Sequence, residues 1–191
     1  MAGRQTKYDI VNAADQLFYE QGFEHTSFSQ IAEAVGISRG NFYYHFQTKD
    51  EILETVIKQR LSRTKDMLNR WESEEETPGG RIRCFVSVLL TNQAKIERYG
   101  CPVGTLTNEL FKLDHPKKSH SKKLFILFRK WLCKQFEQLG HGHNADDLAM
   151  HVLAFSQGVA TLANAFQYKN FIPNEVNRLN EWLTSIENMQ S

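Results

Sequence analysis

The twenty residues from Ser27 to Phe46, SFSQIAEAVGISRGNFYYHF, constrain the fold more than any other stretch of the chain. A capping box opens them: Ser27 is followed three residues later by Gln30, and Phe28, Ile31, Ala32 and Val35 recur at helical spacing. Gly36 supplies the backbone freedom of a sharp turn, and Ile37 plugs it. Ser38 caps a further helix of about two turns whose inward face is Phe42 and Phe46. Two helices joined by a short glycine-containing turn form a helix-turn-helix, here over residues 27–46. With Phe42 and Phe46 buried, Arg39, Gly40, Asn41, Tyr43 and Tyr44 stay outside, and His45 lies at one edge. These residues have little to offer a core.

The rest of the chain also reads as helix. Residues 6–21 place Ile10, Val11, Ala14, Leu17 and Phe18 on one stripe, and Gly22 stands just past its end. Thr48 opens a longer helix from Lys49 to about Trp71. The acidic run and Pro-Gly-Gly of ESEEETPGG (72–80) then make the strongest break in the sequence. Further helical patterns are predicted over 81–98, 103–112, 118–139, 145–168 and 174–189. Strand-like alternation, internal repeats and low-complexity tracts are missing from the sequence, so the class is all-α. A hydrophobic fraction of 41% is enough to build a core, which argues against a disordered chain.

The second helix of a helix-turn-helix enters the major groove of DNA while the first crosses the backbone. Arginine at Arg39 suits guanine O6 and N7, and asparagine at Asn41 suits adenine N6 and N7. The hydroxyls of Tyr43 and Tyr44, together with His45 and Lys49, suit phosphate oxygens, and Gly40 admits the duplex backbone closely. Ser27 and Ser38, each at a helix N-terminus, complete the expected contact set. The alternative is a solvated helix face, for which two adjacent tyrosines are poor material. Net charge does not decide between them: the chain carries +1, and its first 65 residues hold eight basic and eight acidic groups. Attraction to phosphate must come from placement, with Arg4, Lys7, Arg39 and Lys49 on one side and Asp15, Glu20, Glu24 and Glu33 on the other.

The segment GFEHTSFSQIAEAVGISRGNFYYHFQTKDEIL resembles the N-terminal domain of TetR-family transcriptional regulators, and the likeness runs from residue 6 to residue 57. The resemblance implies base or phosphate contacts from Ser27, Arg39, Asn41, Tyr43, Tyr44, His45 and Lys49. It also implies a homodimer on a (pseudo)palindromic operator in double-stranded DNA, with C-terminal helices that bind a small organic inducer and release the DNA. The expected organisation is a three-helix DNA-binding domain over 1–65 and a helical ligand-binding and dimerisation domain over 66–191. The expected function is a transcriptional regulator, a repressor rather than an enzyme, with no cofactor. No Ser/His/Asp grouping, metal-ligand spacing or phosphate loop rises above chance.

Within 66–191 the sequence leaves more open. Phe85, Phe128, Trp131 and Phe155 are candidates to line a small hydrophobic ligand, with Cys101, Thr105, Asn108 and Glu109 as polar partners. The same aromatics at helical spacing serve equally as plain core. Cys101 beside a helix N-terminus suits an electrophile or redox sensor, but with no resolving cysteine nearby in sequence a small buried apolar residue is the preferred reading. A helical protein that sequesters a small molecule, or senses through Cys101, is therefore the alternative to a regulator. His141, His143 and His151 with Asp146 or Asp147 read as a solvated loop rather than a metal site. Leu153, Gly158, Val159 and Leu162 on one helix, with Leu179, Leu183 and Ile186 on the next, suit a four-helix interface between two copies, burial inside one subunit being the alternative. Three widely spaced cysteines, no secretory signal and no apolar run near ~18 residues point to a cytoplasmic protein without a membrane segment.

Overall fold

The computed structural model describes residues 2–188, and among these it contains ten α-helices and no strand. They are α1 (Ala2–Gln21), α2 (Phe28–Val35), α3 (Arg39–His45), α4 (Lys49–Glu74), α5 (Pro78–Thr91), α6 (Gln93–Tyr99), α7 (Pro102–Lys112), α8 (Lys118–Gln138), α9 (Ala145–Phe166) and α10 (Phe171–Asn188). The all-α class follows directly.

Several boundaries differ from those the periodicity predicts, three of them for a local reason that the structure shows. The single helix expected over 81–98 is two, because Asn92 turns its side-chain amide back onto the Val88 carbonyl at 3.0 Å and interrupts the ladder between α5 and α6. Pro78 lies inside α5 rather than before it: at the first helical position its missing N–H costs nothing, and Thr77 caps the helix by accepting from Gly80 N–H at 3.0 Å. Pro173 likewise falls in the first turn of α10, which begins at Phe171.

The chain divides into two compact units. The first takes the residues up to Arg63 together with Val103–Lys123; the second takes Thr64–Pro102 and the residues from Leu124 onward. The core of the first unit joins Ile10, Phe18, Ile31, Phe42, Leu53 and Val56 to Leu106 and Leu110 of α7. Leu106 and Leu110 of α7 thus share a core with the helix-turn-helix.

Charged groups also tie the first unit together. Arg60 donates to Asp15 at 2.6 Å, and Arg63 donates to Asn12 at 2.8 Å, which fastens α4 along α1. Glu54 meets Lys58 at 2.9 Å and Lys117 at 3.0 Å. These two ammonium groups, Lys58 first, hold its carboxyl below the ordinary 4.5, at about 2. A carboxylate whose folded value is depressed stabilises the fold fully above about pH 4.5 and progressively less as pH falls towards 2. We expect Glu54→Gln to melt below the parent protein near neutral pH, with the gap closing across that window. A gap independent of pH in thermal melts would contradict this.

In the second unit α9 packs against α5, α6 and α10. This overturns most of the expected subunit interface. Leu153, Val159, Leu179, Leu183 and Ile186 are all buried within the single chain. Three neighbouring helices cover what looked, on periodicity, like an apolar surplus. Gly158 and Leu162 alone of that set are exposed. The histidine loop is also not uniformly solvated: His141 is buried, while His151 is exposed and lies against the Trp182 ring at 4.7 Å.

Candidate nucleic-acid interface

The helix-turn-helix is built almost wholly from short-range interactions. Ser27 forms the reciprocal capping box with Gln30, its backbone N–H donating to Gln30 Oε1 at 2.8 Å. Gly36 adopts φ 71° and ψ 33°, the left-handed conformation that closes α2. Its N–H donates to the Glu33 carbonyl at 3.0 Å, and the Ile37 N–H donates to that of Ala32 at 3.0 Å. Ser38 then caps α3 by accepting from Asn41 N–H at 3.3 Å. Phe42 and Phe46 are buried, and Phe42 rests on the Phe28 ring at 5.0 Å between centroids.

That anchoring decides what α3 shows. Ser38, Arg39, Gly40, Asn41, Tyr43 and Tyr44 are all exposed, with Tyr44 at 82%, and His45 is half-buried. Tyr44 stands edge-on to His45 with ring centroids 5.1 Å apart. Arg39 is not loose: its Nη2 donates to Ser29 Oγ on α2 at 2.9 Å. Ser29 was not among the residues expected here. Its only signal in the sequence is a polar position on the outer side of α2.

The first turn of α1 adjoins the end of α3. Lys7 Nζ lies 5.1 Å from the Phe46 ring centroid, and a Cβ on Gly3 would stand 3.8 Å from His45 Cε1. Arg4 and Lys7 are exposed there, so part of the basic side does assemble beside the polar face. Two expected contacts are otherwise engaged. Ser27 directs its hydroxyl to Gln30 Oε1 at 2.9 Å within the cap. Lys49 donates to the carbonyls of Phe23 at 3.0 Å and Glu24 at 3.2 Å, which turns its ammonium inward.

The residues expected to line a ligand divide between the two units. Phe85, Cys101, Phe128, Trp131 and Phe155 belong to the second unit, where Phe85 meets Phe128 edge-on at 5.2 Å and Trp131 leans on Trp71 at 5.8 Å. Thr105, Asn108 and Glu109 lie on α7 in the first unit. Glu109 is committed to backbone N–H groups of that same unit, because α7 turns it towards the end of α1. Cys101 accepts from Gln157 Nε2 at 3.4 Å, and no disulfide joins it to Cys84 or Cys133.

The family described as bacterial regulatory proteins, tetR family, matches residues 10–56. The HTH-type transcriptional regulator of the lacX 3' region in Lactococcus lactis subsp. lactis is 31% identical over 138 residues, 71% of this chain and 70% of that protein. The HTH-type transcriptional regulator TtgR of Pseudomonas putida is 34% identical over 87 residues, which span 46% of this chain and 40% of that relative. Among solved structures, a TetR-family transcriptional regulator from Agrobacterium tumefaciens superposes with a TM-score of 0.82 at 18% identity, covering 94% of this chain and 97% of that one. The fold is thereby shared along nearly the whole length, and with a relative above 30% identity spanning most of both chains, this protein belongs to the TetR family of bacterial transcriptional regulators.

Proposed function

We propose that the protein is a repressor that binds a (pseudo)palindromic operator in double-stranded DNA as a homodimer and leaves it when a small organic inducer binds. The observation that carries this reading is α3 itself: Phe42 and Phe46 fix its inner side, and Arg39, Asn41, Tyr43 and Tyr44 stand outward together. Arg39 and Asn41 read base edges; Ser38, Tyr43, Tyr44 and His45 hold phosphates, and Gly40 lets the duplex backbone come close. Arg4 and Lys7 add phosphate attraction from the first two turns of α1. Such binding takes place in the cytoplasm.

The aromatic cluster of the second unit supports the inducer. Trp131 Nε1 is buried and has no hydrogen-bond acceptor, which favours a ligand that carries one. An inducer acts by preferring a protein state that holds the two copies of α3 at the wrong spacing, and its effect is limited to that difference in affinity.

The surface that pairs the two copies is the outer side of α9, where Met150, Ala154, Gly158 and Leu162 follow one another at helical spacing and are all exposed. Placing a charge there by Leu162→Glu is expected to give a monomer in sedimentation. The monomer should also lose tight binding to a palindromic duplex enriched by the wild-type protein from a random-sequence pool. For the wild type, affinity for that duplex should fall steeply and linearly on a log–log plot against salt. Salt-independent or undetectable DNA binding would refute the reading.

A further inference from the structure

The turn that joins α1 to α2 is held from outside at both kinds of polar backbone group. Glu109, on α7, accepts Phe23 N–H at 2.9 Å through Oε2 and Glu24 N–H at 2.8 Å through Oε1. Lys49, at the start of α4, gives its ammonium to the carbonyls of the same two residues, at 3.0 and 3.2 Å. A negative side chain takes the donors and a positive one takes the acceptors. The ammonium also lies 4.4 Å from the Phe23 ring centroid.

The neighbouring residues are shaped to admit this grip. Gly22 has φ 91°, which favours glycine, and a Cβ there would stand 3.0 Å from Glu109 Oε1, so the carboxylate would have to give way to one. Phe23 is buried, with the His115 ring edge-on at 5.0 Å, and His115 Nε2 is 3.3 Å from Asp50 Oδ1. The gripped turn runs through Thr26, itself buried and bonded to the Gly22 carbonyl at 2.7 Å, straight into the cap of α2. Any play at Phe23 and Glu24 is passed to α2, and from α2 to α3 through the tight Gly36 turn.

We propose that Glu109 is a positioning residue for DNA binding: its carboxylate, opposed by Lys49, grips the α1–α2 turn and fixes the helix-turn-helix in the orientation that fits the groove. The role rests on α3 as the groove-reading helix. Glu109 touches no DNA in this scheme. Its loss weakens binding by letting the reading head move rather than by removing a contact.

The test uses full-length protein and the enriched palindromic duplex. Glu109→Ala removes both acceptors and is expected to lower affinity about tenfold. The slope of affinity against salt should stay at its wild-type value, because no phosphate contact is lost. Hydrogen exchange followed by NMR should show the Phe23 and Glu24 amides exchanging fast while those of α4 stay protected. Glu109→Gln keeps a single acceptor oxygen and should be intermediate in affinity, with one of the two amides still slow. Wild-type affinity in Glu109→Ala, despite fast exchange at both amides, overturns the proposal. If the alanine variant is unfolded at the assay temperature, wild-type affinity in Glu109→Gln overturns it instead. Tyr44→Ala keeps the two readings apart. Should it bind as the wild type does, the groove assignment itself fails; should it bind weakly while Glu109→Ala binds fully, the positioning role alone fails.

Discussion

Tyr44→Ala is expected to weaken binding to a palindromic duplex by more than about a hundredfold while leaving the melting temperature unchanged. A hydrogen bond to a charged group contributes about 1.5–3 kcal/mol, and a two-fold complex loses it in both half-sites. The stability side follows from burial. Tyr44 is 82% exposed and its ring meets only the edge of His45 among the ring contacts, so its removal belongs with surface changes of about 0.5 kcal/mol or less. Fluorescence anisotropy and calorimetry read the two quantities separately. Undiminished affinity would remove α3 from the groove.

Phe42→Ala, two residues away, should behave in the opposite manner. Phe42 is 1% exposed and packs on Phe28 within the core of the first unit. Truncating a buried phenylalanine costs about 3–5 kcal/mol through lost transfer energy and the cavity left behind. Against a total of about 5–15 kcal/mol, that is a large fraction. The melting temperature should fall by about 10 °C, and DNA binding should fall with it, since α3 has lost its inner anchor. Phe42→Leu, which restores most of the volume, should recover both. A Phe42→Ala protein with normal melting would mean that the side chain does not anchor the helix. The contrast between neighbours is the sharper expectation: binding lost without stability at Tyr44, and both lost together at Phe42.

The helix-turn-helix was legible in the sequence because its caps, its turn and the spacing of its apolar residues are local. The cap of α2 lies within four residues, Ser27 to Gln30, and the left-handed Gly36 closes bonds to Ala32 and Glu33. Capping, turn chemistry and the spacing of Phe42 and Phe46 all favour one conformation. Long-range partnerships were not legible. Helical spacing shows that residues 103–112 form a helix, but not that Leu106 and Leu110 join a core made mainly by residues 10–57. Nothing near Glu109 in the sequence shows which groups its carboxylate meets; its partners are 85 and 86 residues away. The misassigned face of α9 has the same origin. Periodicity reveals how much of a helix is apolar, whereas the number of neighbours available to cover it is a property of the fold. Asn92 is a milder case, since asparagine inside a helical pattern signals an interruption only when its side chain reaches back to the preceding turn.

The hydrogen bond from Arg39 to Ser29 has a consequence for how sequences are told apart. A guanidinium already resting on a hydroxyl gives up little rotational freedom when it meets a duplex, so encounter is not slowed by a search through conformers. The hydroxyl also acts as a rival. A base edge with one acceptor offers Arg39 no more than it has at rest, while guanine, with two side by side, offers more. If Arg39 reads a base pair as proposed, Ser29 sets a threshold for acceptance there without itself touching the DNA.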